Sequence, residues 1–421
     1  MPLLYDLGIG AYHVGIRAAA AWNPKARAWV KGREGMWKRL EDAAPRLQGC
    51  LWMHCASVGE FEQGRPVLEV IKAERPELPV LLTFFSPSGY AARKDCPLAT
   101  HVEYLPPDNP RNAARLQQLV RPKAAIFVKY EFWYHHLRAL RNAGVPTFLI
   151  AALFRRDQPF FQWYGGAWRA MLGCFAHIYT QDTGSKALLA GLRTGPVSVG
   201  GDSRFDRVVG IVAEGEELPL AAAFGGGKAV LVCGSTWPAD EQLLAEVLPR
   251  MGELAPKCIV APHELHQEQL AAIEQRFPKP LVRWSELDGA QATNVAATLG
   301  PEPQGTLLVD RMGLLAQLYR HGRVAYVGGG FTDGIHSLLE AAAWGVPVIF
   351  GPKHRKFPEA QGLIDAGAGR EVRDADELLL ALEDWFSDPE ALHRASAAAA
   401  AYVQQRTGSA KAVAEAVLAA I

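Results

Sequence analysis

Short apolar runs rich in β-branched residues alternate with longer stretches of helical periodicity along almost the whole chain. In the first half, LWMHCAS, VLLTFF, HVEYLP, AAIFVKY, TFLIAA, HIYTQ and VSVGG predict seven strands. In the second half, AVLVCGS, KCIVAPH, LVRW, TLLVD, VAYVGGG and VPVIFGP predict six more. Segments such as GRPVLEVIKAERP and RNAARLQQLVRP, which lie between strands, read as helices. Strands alternating with helices imply βαβ units and parallel sheets, so the class is α/β with two Rossmann-like, doubly wound domains. The Gly-, Ala- and Glu-rich stretch VVGIVAEGEELPLAAAFGGGK separates them. The expected organisation is an N-terminal helical segment over 1–40, domains over 41–208 and 209–400, and a C-terminal helix over 401–421. Two such domains facing one another would form a cleft lined by the carboxyl ends of strands, where ligands bind in sheets of this kind.

Composition narrows this picture. The 421 residues carry 44 Lys+Arg and 44 Asp+Glu, so no net field favours nucleic acid as a partner. Six scattered cysteines without a C-x-x-C pair argue against a disulfide framework or a zinc site. The opening MPLLYDLGIGAYHVGIRAAAAW is apolar but broken by Asp6, His13 and Arg17, which makes it a poor spanning helix. Basic residues from Lys25 to Arg39, interleaved with Trp22, Trp29 and Trp37, follow it. That composition suits an anionic membrane surface, and equally a helix packed on its own domain.

Candidate chemistry gathers at strand ends. In VAYVGGGFTDGIHSLLEAAAWGVPVIFGP, a turn of Gly328, Gly329 and Gly330 follows a strand, and a helix is expected from about Gly334. Bare backbone at a helix start suits a phosphate, although neither the P-loop nor the dinucleotide fingerprint is satisfied. His336 and Glu340 would share one face of that helix, with Glu340 placed to accept ribose hydroxyls. A purely structural tight turn is the competing reading. Gly234 and Ser235 with Thr236, Pro262 with His263, and Asp310 to Gly313 with Met312 stand at three further strand ends.

The first half has its own set. Ser57, Gly59 and Glu60 follow the first strand, where Glu60 reads as either a helix cap or a general base. Ser86, Lys129 and Glu131 follow later strands, and Glu131 among aromatic residues needs a partner. Arg155 and Arg156 follow the fifth strand and suit phosphate groups.

Taken together, HCASVGE, FFSPSGY, KYEFW, GDSRFDR, GSTWPADE, the glycine-turn segment and the N-terminal LYDLGIGAYHVGIRAAAAWNPKARAWVKGR resemble the 3-deoxy-D-manno-octulosonic acid (Kdo) transferases of lipopolysaccharide synthesis, in family order and over nearly the whole chain. The resemblance implies a GT-B glycosyltransferase fold, an acceptor-binding first domain and a nucleotide-binding second one. It implies CMP-Kdo as donor, the acylated lipid A precursor (lipid IVA) as acceptor, no cofactor and no metal. It also implies attachment to the cytoplasmic face of the inner membrane. Glu60 maps to the catalytic base and Glu131 to a second important glutamate. Gly234, Ser235, Pro262, His263, Met312, Gly328, Gly329, Gly330, His336 and Glu340 map to the CMP site. Acceptor contacts are expected from Ser57, Gly59, Ser86, Lys129, Arg155 and Arg156. The chain departs from the family pattern at Pro262-His263-Glu264 and at Ser337.

The expected reaction is an inverting single displacement. Glu60 would deprotonate the acceptor alcohol while glycine-turn amides stabilise the departing phosphate. Two other classes share parts of the pattern: a GT-B transferase using a UDP- or GDP-sugar, and a non-catalytic sugar-nucleotide-binding protein.

Overall fold

The computed structural model describes residues 2–215, 217–287 and 305–421; Met1 of the N-terminal segment and Glu216 of the stretch between the halves lie outside them. Contacts divide the chain into two units, Met1–Arg207 with Thr407–Ile421, and Val208–Arg406.

The first unit holds seven parallel strands: β1 Leu51–Cys55, β2 Val80–Phe84, β3 His101–Tyr104, β4 Ala124–Val128, β5 Thr147–Ala152, β6 His177–Thr180 and β7 Val197–Val199. Their order is β3-β2-β1-β4-β5-β6-β7. All seven lie within the expected runs. β1, β2 and β4 are buried at every position, as strands covered on both faces must be. Successive side chains alternate faces, so Leu51 and Met53 join Phe61, Leu68 and Ile71 of the helix Val58–Glu74. Trp52 joins Leu40, Leu116 and Leu137 on the other face.

The C-terminal helix Ser409–Leu418 returns to this unit and buries Val413 and Val417 in the layer that contains Ile71. Asp206, from the GDSRFDR motif, holds its start by accepting the amides of Gly408 (2.7 Å) and Ala410 (3.1 Å).

The second unit repeats the plan with β8 Val230–Thr236, β9 Lys257–Pro262, β10 Leu281–Arg283, β11 Thr306–Leu308, β12 Val324–Val327, β13 Val348–Phe350 and β14 Gly369–Glu371. The order is β10-β11-β9-β8-β12-β13-β14, again parallel. β14 is an addition to the six expected strands. Its three residues, Gly-Arg-Glu, carry no apolar signal, and pairing with β13 alone defines it.

The N-terminal segment forms helices Pro2–Ala19, Pro24–Gly32 and Met36–Leu47. Among the described residues, no helix is long and apolar enough to cross a membrane. Part of the first helix faces its own unit: Tyr5 donates to Asp108 (2.6 Å), Asp6 pairs with His135 (2.5 Å), and Tyr12 meets Trp29 and Phe85. Leu7 and Val14, one heptad apart, are exposed at 67% and 69%. The three tryptophans of this segment differ in exposure. Trp29 is buried under the Arg33 guanidinium (3.8 Å), Trp37 is half-buried beneath Arg115, and Trp22 is the exposed member.

If the helix Val58–Glu74 binds the first unit together, Ile71→Ala should cost that unit about 2–5 kcal/mol. In urea denaturation, the first unit's transition should move to lower urea while the second unit's stays in place.

Candidate active site

Both sheets switch winding direction beside their first strand, between β1 and β4 in one unit and between β8 and β12 in the other. Ligand sites in open parallel sheets form at such switch points, outside the carboxyl ends of the strands. Glu60 and Glu131 follow β1 and β4; Ser235 lies at the end of β8, and the glycine turn and His336 follow β12.

In the first unit, Glu60 occupies the third position of the helix Val58–Glu74. Its Oε2 accepts the amides of Ala56 (2.6 Å) and Ser57 (3.0 Å), while Oε1 takes no hydrogen bond among the described residues. The carboxylate is thus a cap on one oxygen and available on the other. Burial, and then the charge of Glu131, raise its pKa; the two amides oppose the shift. A glutamate displaced upward in this way is a stronger proton acceptor near neutral pH.

Glu131 is buried, and its Oε2 receives the indole N–H of Trp133 at 2.7 Å and lies 2.8 Å from His54 Nε2. His54 is fully buried on β1, and its Nδ1 lies 2.9 Å from the Thr83 hydroxyl. The requirement that Glu131 have partners is therefore met by His54 and Trp133. Phe85, just past β2, stacks on Trp133 at 5.1 Å.

The expected acceptor residues stand at the same ends of this sheet. Ser57 and Gly59 begin the Glu60 helix, and Ser86 caps the helix Pro87–Arg93 by accepting the Gly89 amide (3.0 Å). Lys129 adopts φ 67° directly after β4, its amide held by Ile150. Arg155 and Arg156 are exposed beyond β5, with Arg155 3.6 Å from Asp157.

In the second unit the glycine turn differs from expectation. The helix begins at Leu339 rather than near Gly334, so His336 precedes it and shares no helical face with Glu340. Gly329 (φ 92°) and Gly334 (φ 134°) account for this, because both hold backbone geometry incompatible with a helix. Nor are the turn's first amides open. Gly328 donates to the Gly234 carbonyl and Gly329 to Asp240 Oδ2, both at 2.9 Å. A Cβ on Gly328 would lie 2.4 Å from the Ser235 carbonyl, and one on Gly330 2.5 Å from Gly351 Cα. The glycines let strand ends approach each other; Gly328 and Gly329 do not present free amides to a phosphate. Gly234 serves the same end, since a Cβ there would meet the Tyr319 hydroxyl at 2.1 Å.

Around this turn the chain builds a platform of rings. Trp237 Nε1 donates to His336 Nε2 at 3.0 Å, and the two rings are nearly coplanar. His263 stacks on both, at 4.8 Å from Trp237 and 4.3 Å from His336. A histidine accepting at Nε2 carries its proton on Nδ1 when neutral. Burial, and then His263, lower the His336 pKa, which favours that neutral form. Ser235 sits at φ 52° at the end of β8, whereas Thr236 is buried and its hydroxyl donates to Glu241. Pro262 closes β9, Met312 is exposed after β11, and Glu340 lies close enough to Tyr319 to help raise that phenol's pKa.

Two residues of this site were not anticipated. Trp237 starts the helix Pro238–Val247, and Asp240, fully buried, ties three elements together. Asp240 accepts the Trp237 amide (2.9 Å), the Gly329 amide (2.9 Å) and the Tyr326 hydroxyl (2.8 Å). The string W-P-A-D, with an acid three residues after the cap position, is the signal that finds Asp240. No local pattern announces its link to Gly329. Among the described residues, no cluster of three or more His, Cys, Asp or Glu side chains is arranged to hold a metal ion.

Comparison with known proteins adds the following. The family model "3-Deoxy-D-manno-octulosonic-acid transferase (kdotransferase)" matches residues 30–207. The 3-deoxy-D-manno-octulosonic acid transferase of Aquifex aeolicus is 28% identical over 361 residues, covering 82% of this chain and 89% of that protein. The enzyme of the same name from Bordetella pertussis is 28% identical over 429 residues, covering 96% and 97%. Among solved structures, UDP-GlcNAc 2-epimerase from Neisseria meningitidis superposes with a TM-score of 0.59 at 12% identity, over 88% of this chain and 99% of that one. MurG from Acinetobacter baumannii gives 0.51 at 13%, over 88% and 99%. These likenesses show the fold, which is GT-B.

Two outcomes follow from this geometry. Asp240→Ala strands three buried donors and should destabilise the second unit by about 3–5 kcal/mol in urea melts. Trp237→Phe removes an N–H that opposes protonation of His336 Nε2, so the His336 titration midpoint should rise relative to the parent protein, read by NMR of the imidazole resonances.

Proposed function

We propose that this chain is a member of the 3-deoxy-D-manno-octulosonic-acid transferase family that its residues 30–207 match, and that it transfers Kdo from CMP-Kdo to the lipid A precursor by an inverting single displacement. The observation that carries the reading is Glu60: a carboxylate at the β1–β4 switch point, anchored through one oxygen and displaced toward the neutral form by burial and Glu131. Transfer requires a group to take the acceptor hydroxyl's proton as the new bond to the anomeric carbon forms, and the unengaged Oε1 suits that task. Glu131 supports the base and does not form a covalent intermediate.

The donor half falls to the second unit. Ser235, His263, His336, Met312 and Glu340 are assigned to CMP, with Glu340 on the ribose and the ring platform beside the base or phosphate. Since the amides of Gly328 and Gly329 are engaged, the leaving phosphate must draw its stabilisation elsewhere. The Nδ1–H of neutral His336 is one donor. Lys353, whose Nζ donates to the carbonyls of Phe331 and Thr332, adds positive charge next to the turn. The helix Pro2–Ala19, with Leu7 and Val14 exposed, is assigned to the cytoplasmic surface of the inner membrane, lying on it rather than crossing it.

Incubation with CMP-Kdo and the lipid A precursor should raise the acceptor mass by whole Kdo increments. Failure to do so, with UDP or GDP shifting the melting temperature more than CMP, would instead favour a transferase of another sugar nucleotide. Glu60→Gln should lower turnover by about 10²–10⁴-fold with CMP affinity nearly unchanged. The pH profile carries a sign as well. The base acts ionised and its pKa is raised, so activity should fall on acidification through a value above the ordinary glutamate range.

A further inference from the structure

The geometry behind Glu131 extends further than a pair of glutamates requires. Trp52 Nε1 donates to Thr83 Oγ1 (2.9 Å), Thr83 Oγ1 lies 2.9 Å from His54 Nδ1, and His54 Nε2 lies 2.8 Å from Glu131 Oε2. Trp133 Nε1 reaches the same oxygen at 2.7 Å. Trp52, Thr83 and His54 are buried in adjacent strands β1 and β2, so no solvent can substitute for a missing partner. On its Nδ1 side His54 meets the Thr83 hydroxyl (2.9 Å) and the Thr83 carbonyl (3.1 Å), and the Thr83 hydroxyl also lies 3.4 Å from the Met53 carbonyl. An ionised Glu131 only accepts, so its contact with His54 calls for a hydrogen on Nε2, and the Trp133 indole, 3.0 Å from that nitrogen, serves the same carboxylate. Buried contacts on both ring nitrogens thereby fix the imidazole in place, and through it one carboxylate.

We propose that His54 is a positioning residue for the transfer reaction, holding Glu131 in place beside the Glu60 base. This rests on the reading of Glu60 as base and adds the group that controls it. His54 touches neither donor nor acceptor in this assignment and acts through Glu131.

The titratable groups packed around the pair are Glu60 on the helix Val58–Glu74, Cys55 on β1 and His136 on the helix Tyr134–Asn142. Burial holds the Cys55 thiol neutral by raising its pKa, and holds His136 neutral by lowering its own. Glu60 is left as the neighbour whose ionisation responds to Glu131. Without His54, a buried Glu131 loses one of the two partners that hold it and turns away from Glu60. The like charge beside Glu60 then recedes, and Glu60 ionises at lower pH.

The test is the pH dependence of kcat in His54→Leu, His54→Gln, Thr83→Val and Thr83→Ser, with CMP-Kdo and the lipid A precursor as substrates. His54→Leu should lower kcat by about 10²-fold and move the acid limb down by about one pH unit. CMP affinity by calorimetry should be unchanged. His54→Gln, which keeps an N–H within reach of Glu131, should recover part of kcat and return the limb toward its parent position. Thr83→Val should shift the limb in the same direction by a smaller step, and Thr83→Ser should not. The Thr83 pair decides the matter if His54→Leu does not fold. An acid limb unmoved in both His54→Leu and Thr83→Val overturns the proposal, even if kcat falls, because a structural role alone would lower kcat without shifting it. Loss of Kdo transfer in the parent protein would count against the proposed function, whereas parent activity with unmoved limbs counts against His54 alone.

Discussion

At several helix starts of this protein an acid accepts backbone amides, and the candidate site depends on that constraint. The first amides of a helix have no partner within it, and at a buried strand end water cannot supply one. Glu60 serves the helix Val58–Glu74, Asp240 the helix Pro238–Val247, and Asp206 the helix Ser409–Leu418. Asp108 serves the helix Tyr134–Asn142 by accepting the amides of His135 and His136. Glu60, Asp240 and Asp108 fix where a helix leaves its sheet, and so where the residues of the preceding turn stand; Asp206 fixes a helix that follows another helix. In the first unit that acid is Glu60 itself; in the second the turn brings Trp237 beside His336.

The comparison between Glu60 and Asp240 is instructive because they occupy the same position in equivalent units. Both stand third in the helix after the first strand of their sheet, at the switch point. Asp240 has both oxygens engaged and no exposure, with Tyr326 closing the one that the amides leave. Nothing is left for a ligand, and its role is to hold the glycine turn shut. Glu60 has one oxygen engaged and a half-buried setting with a second carboxylate nearby. The local geometry is shared; what differs is the side chain opposite. A helix-capping acid becomes a candidate base when its second oxygen is left open.

The sequence is legible where the signal is local. Thirteen strands follow from apolar runs, and β14 does not, because Gly369-Arg370-Glu371 has neither apolar alternation nor β-branched residues. The start of the helix after the glycine turn was misplaced because periodicity from Ile335 onward resembles a helix while Gly329 and Gly334 fold the backbone back on itself. Glu60, Glu131, His263 and His336 stand out as polar residues at strand ends. The link of Asp240 to Gly329 and that of His54 to Glu131 do not, since they span 89 and 77 residues. A buried histidine in an apolar strand reads as ordinary core until Glu131 is placed against it. Residue type alone makes the glycine turn look open, whereas the amides of Gly328 and Gly329 are engaged by Gly234 and Asp240.

Asp108 joins the N-terminal segment to this scheme. Besides the amides of His135 and His136 it accepts the Tyr5 hydroxyl, and burial beside that acid raises the Tyr5 pKa strongly, so the phenol stays a donor. His135 pairs in turn with Asp6 of the same helix. The helix that presents Leu7 and Val14 outward is therefore pinned to the residues immediately following Glu131 and Trp133. Tyr12 extends the contact to Phe85, which stacks on Trp133. A displacement of the first helix would have to break a buried hydrogen bond at Asp108 or slide a ring along this path. The surface assigned to the membrane and the carboxylate assigned to catalysis are thus parts of one packed body. In the proposed reaction, the position at which an acceptor meets Glu131 and Glu60 is set by the same contacts that seat the helix.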